Sequence, residues 1–191
     1  MTGGSDGNER LTGRVAAILL VLLAAEGATL IAIRQLLLPH VFLGFLLIPP
    51  VALKLASVAW RMTSYYRQRP DYARRGPPAW PLRYVVGPVA VLSTFSLFAT
   101  GVAIVLSGRR GMLVGLHKAS FIVWFGAMSI HVLAHIAKVP GLLRDRLPGS
   151  GLRLALVAGV LVAGIVLAVA TIPVADHWQD RATAFVGVDR S

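Results

Sequence analysis

Charged residues are gathered into short segments, and between them run five blocks that are almost wholly apolar: Val15–Leu37, Val41–Trp60, Tyr84–Ser107, Ala119–Ala137 and Leu154–Ala175. At about 1.5 Å of rise per residue, each block is long enough to cross the roughly 30 Å hydrocarbon layer of a bilayer as a helix. The pattern therefore predicts an all-α membrane protein with five transmembrane helices. Pro39 closes one helix and His40 opens the next, a tight turn. Four spans form the expected core, 15–138. The inner loop and fifth helix occupy 139–175, flanked by a disordered cytoplasmic N-terminus, 1–14, and a short extracytoplasmic tail, 176–191. The first apolar run is too long for a cleavable leader and is expected to stay in the protein.

Composition supports this reading, since 56% of the 191 residues are apolar and only 14% charged. A soluble domain carries more charge. The net charge of +11 would fit a nucleic-acid binder, but its distribution points to the membrane. Twelve basic residues fall before the first span, in Arg61–Arg83 and in Lys138–Arg153, against six on the opposite side. By the positive-inside rule the N-terminus is cytoplasmic and the C-terminus outside, at the cell membrane. The loop Arg61–Arg83 reads as a solvated basic segment with Trp60, Tyr65, Tyr66 and Trp80 as interfacial anchors. With no cysteine, disulfides, thiolate zinc sites and cysteine-ligated iron–sulfur clusters are excluded.

The chemistry lies inside the spans. His117 and His131 are 14 residues apart, about 40° short of four full turns and about 21 Å along a helix, so they share one face. His40 and Lys54 repeat that spacing on another helix of the same direction. His40 therefore shares an outer level with His117, and Lys54 an inner level with His131. Ionisable groups within a membrane usually face a bundle interior. His135, one turn beyond His131, has no counterpart at the matching distance from His40, where Val58 stands. It is thus expected beside the inner site and not as its ligand. Burial favours the free amine of Lys54, the form that binds a metal; snorkelling or a pair with Glu26 is its other reading. Glu26, counted from Arg14, falls near mid-bilayer, where it is a neutral group bonded to a neighbouring helix, part of a proton or quinol site, or the partner of Lys54. Gly44 would let a flat macrocycle approach the backbone. Arg109 and Arg110 could hold propionates of an outer haem, and Arg61 those of an inner one. His177 reads as a surface histidine. The hydroxyls of the third span are expected on backbone carbonyls or across helices.

Two helices bearing ligand-type residues 14 apart within four core spans resemble the dihaem cytochromes b, namely the core of the bc-complex cytochrome b and, more loosely, the bacterial cytochrome b561-type membrane subunits. The resemblance covers about Val15 to Lys138 and rests on His40, Lys54, His117 and His131, with Lys54 standing where that pattern has a fourth histidine. It implies two b haems, held by His40 with His117 and by Lys54 with His131, and electron transfer between a partner protein and membrane quinone. Such a chain is an electron-transfer subunit and not an enzyme alone. The alternative is a haem-free anchor or transition-metal carrier using His131 and His135.

Overall fold

A computed structural model describes residues 4–74, 76, 80–108, 111–138, 141 and 150–188, and among them the chain is almost entirely helical with no strand. The helices are α1 (Gly4–Thr29), α2 (Leu37–Tyr66), a single turn α3 (Pro70–Ala73), α4 (Gly87–Ser107), α5 (Gly111–His135) and α6 (Ser150–Val188). Five segments are long and apolar enough to cross a membrane: Gly4–Ala32, Leu37–Tyr66, Leu82–Ser107, Gly111–His135 and Ser150–Val174. Their number agrees with the hydropathy pattern.

Their bounds differ at the N-terminus. Residues 4–14, expected to be disordered, form the first turns of α1, where Asn8 and Leu11 are fully buried. A polar network holds them. The Asn8 amide donates to the Ser57 carbonyl at 3.1 Å, the Thr12 and Ser57 hydroxyls share a bond at 2.8 Å, and the Lys54 amine donates to the Thr12 carbonyl at 2.9 Å. Composition alone marks these residues as hydrophilic, but buried polar groups are tolerated once paired. The start of α1 is further tied by Tyr72 of α3, whose hydroxyl accepts from Trp60 Nε1 and donates to the Gly4 carbonyl. Trp60 thus works inside the protein as well as at its edge. The C-terminal stretch expected as a short tail continues α6 as helix to Val188.

Helices α1, α2 and α6 form one layer. Leu11, Val15 and Leu19, four residues apart on α1, close a buried cluster with Leu47 and Val157, and Phe45 and Leu46 meet Ala168 in a second. The fifth long helix packs closely on α2. Gly164 allows this, because a Cβ there would overlap the Leu46 carbonyl. That carbonyl lacks its usual helical donor, since Pro50, four residues on, has no N–H. The Gly164 C–H takes up the position, a weak contact of the kind that recurs between membrane helices.

Helices α4 and α5 form an antiparallel hairpin closed by Gly108, whose φ of 73° is the left-handed conformation that suits glycine. The α4 hydroxyls behave as expected. Ser93, Thr94, Thr100 and Ser107 donate to carbonyls within the helix, while Ser96 bonds Ser120 at 2.7 Å and Thr94 accepts from Trp124 at 3.0 Å across the pair. The hairpin meets the three-helix layer only thinly, through α4, and α5 keeps Ala127 as its one buried residue among those described. Between α2 and α5 the chain has side chains facing each other with little backbone contact.

Candidate functional site

The outer level is built from three connections. Helix α1 ends at Thr29, a 3-10 turn follows at Leu30–Ala32, and α2 begins at Leu37 with Pro39 in its first turn, where a missing N–H costs nothing. This puts His40 beside the last turn of α1. The α4–α5 hairpin brings His117, about two turns after the bend, opposite Leu97–Gly101. The His40 and His117 ring centroids lie 6.5 Å apart with planes at 89°. The two histidines of the outer level are therefore brought together, edge to face.

Each ring is held through Nδ1. The Thr29 hydroxyl lies 2.5 Å from the Glu26 carbonyl and 2.9 Å from His40 Nδ1. His40 Nδ1 also lies 2.9 Å from Glu26 Oε1. On the other side His117 Nδ1 lies 3.1 Å from the Leu97 carbonyl, an acceptor only, and 3.1 Å from the Thr100 hydroxyl, whose proton is given to Ser96. His117 Nδ1, facing a carbonyl, therefore carries the proton and donates, which leaves its Nε2 with a lone pair, while His40 Nδ1 lies between a hydroxyl and a carboxyl oxygen. A metal-binding imidazole is usually fixed by just such a bond on its other nitrogen.

The donor set, two imidazoles from two different helices, is of the kind that holds b-type haem iron. Gly101 makes room for the His117 ring, since a Cβ there would stand 3.2 Å from His117 Cε1. Sequence reasoning missed Thr29, Thr100 and Gly101. Counting back from the Gly108 bend by as many turns as His117 lies beyond it would have found the last two.

Glu26 lies in the last turn of α1, beside His40 at the start of α2. Its carboxyl group meets His40 of the neighbouring helix, and the Lys54 amine is bonded to the Thr12 carbonyl instead. Gly44 faces Glu26, with Oε1 3.7 Å from where a Cβ would stand, and so looks towards α1.

At the inner level the placement is looser. The Lys54 amine is bonded to the Thr12 carbonyl of α1. The face calculation assumes an unbroken helical ladder, and Pro49 and Pro50 remove two rungs between His40 and Lys54. His135 stacks on His131 at 4.7 Å between centroids and donates Nδ1–H to the His131 carbonyl at 2.9 Å. Arg61 is half-buried on α2, about two turns beyond Lys54. Arg109 and Arg110 lie outside the described residues, as does the side chain of His177. No group of three or more His, Cys, Asp or Glu side chains placed to share an ion occurs among the described residues.

No protein-family model, no curated protein and no solved structure matches the chain.

Proposed function

We propose that the chain is an integral membrane b-type cytochrome, a bundle that holds haem between His40 of α2 and His117 of α5 and serves electron transfer between a redox partner protein and membrane quinone. The observation that carries this reading is the pair of imidazoles from two helices, 6.5 Å between centroids, each with its Nδ1 held by groups of the protein. Bound there, haem supplies a one-electron Fe(III)/Fe(II) couple. The chain's own part is to fix the two rings, through Thr29 and Glu26 on one side and Leu97 and Thr100 on the other. The thin junction between the two helical layers is where a macrocycle would lie.

A second haem at the inner level would use His131 with Lys54, and it requires the amine to leave the Thr12 carbonyl. The positive-inside count supports a cytoplasmic N-terminus in the cell membrane. The stacked His131–His135 pair is the observation that favours the other reading, a haem-free metal carrier or anchor.

The test is a reduced-minus-oxidised spectrum of protein purified after expression with ample haem. Wild type is expected to show a b-type spectrum, and His40→Ala and His117→Ala each to lose the same haem. Bound metal without a Soret band would replace this reading with the second.

A further inference from the structure

The two outer imidazoles are backed unequally. His117 Nδ1 lies against a main-chain carbonyl and a hydroxyl, both neutral, whereas His40 Nδ1 lies against a hydroxyl and a carboxyl group. Glu26 is mostly buried, with 16% of its side chain exposed, and its second oxygen, Oε2, is buried with no hydrogen-bond partner. Its acceptor strength is thus concentrated on Oε1 and the His40 ring. Gly44 leaves the carboxyl group space at ordinary contact distance, and Thr29, three residues on in the same turn, steadies the backbone beneath it.

We infer that Glu26 is a positioning residue that sets the reduction potential of the outer haem, by drawing on the His40 Nδ1 proton and making that imidazole the stronger electron donor to iron. The inference rests on the haem reading above. With Nε2 on a metal, Nδ1 holds the ring's remaining proton, so Oε1 is the acceptor of this bond. A carboxylate partner raises ligand basicity. A more basic ligand favours the ferric form, so the outer haem sits lower in potential than a pair backed only by neutral acceptors.

Potentiometric titration of purified wild type, Glu26→Gln and Thr29→Val tests this, with the spectral component lost in His40→Ala identifying the outer haem. Glu26→Gln keeps the size of the side chain and a neutral acceptor oxygen. It is expected to retain a haem of unchanged six-coordinate spectrum while the reduction equilibrium moves about tenfold towards the ferrous form, about 59 mV for one electron. Thr29→Val, which removes only a neutral acceptor, is expected to move it less than about threefold. Should Glu26→Gln not fold, Glu26→Asp, with the carboxylate withdrawn by one methylene, is expected to show a smaller rise of the same sign. A haem-loaded Glu26→Gln, or in its place Glu26→Asp, with the wild-type potential overturns the inference and leaves the haem reading standing. A wild type that takes up no haem overturns both.

Discussion

At the scale of single residues, the outer site depends on atoms that carry no chemistry themselves. Gly101 stands against the His117 ring so closely that a Cβ would already press on it. Gly101→Val is therefore expected to lower haem content several-fold with the fold intact, checked by haem per protein beside the far-ultraviolet circular dichroism. Lys54→Met gives a different result. It removes a half-buried donor from the Thr12 carbonyl, a loss of about 0.5–1.5 kcal/mol, and is expected to leave the outer haem in place while lowering the unfolding midpoint. Loss of the His40-dependent spectral component in Lys54→Met would contradict the placement of the amine on α1. The spacing of 14 residues was enough to pair His40 with His117, because on α5 nothing interrupts the helix and on α2 His40 lies before the prolines. It was not enough for Lys54, which lies after them. The contact of Glu26 with His40 was not legible, because the two meet across the turn between α1 and α2 and not along one helix.

At the scale of elements, five apolar blocks became five long helices, since length and hydropathy are properties that a bilayer reads directly. Which helices touch was not legible. All five blocks are apolar around their whole circumference, so no stripe marks a packing face, and partner choice falls to small residues whose neighbours lie far off in sequence. Gly164 and Gly159 look alike in the chain, yet Gly164 meets the Leu46 carbonyl and Gly159 has nothing within 4 Å. Gly164→Ala is expected to force α6 from α2, costing about 1–3 kcal/mol as overpacking does. Gly159→Ala is expected to stay within about 0.5 kcal/mol of wild type. Parallel thermal unfolding in one detergent checks the pair, and equal midpoints would place the α2–α6 contact elsewhere.

At the scale of the whole molecule, the protein is a three-helix layer and a hairpin joined thinly. A ligand gripped from both parts adds to stability by binding only the assembled form, so the haem-loaded protein is expected to unfold at a higher temperature than the same protein made without haem, and His117→Ala to abolish the difference. Orientation is open to an equally direct measurement. The chain has no cysteine, so single cysteines introduced at Ser5 and Ser150 are expected to react with an impermeant thiol reagent only after the membrane is opened, and one at Arg34 to react in intact cells. The reverse pattern would invert the topology. The Leu46 carbonyl, stripped of its donor by Pro50 and met by Gly164 some hundred residues later, has a consequence for how such a chain is made. While the first four helices emerge from the ribosome, a bare dipole stays open in the middle of the second. The molecule is finished from its last segment inward, and a version cut short before Ser150 would enter the membrane with its central helix incomplete.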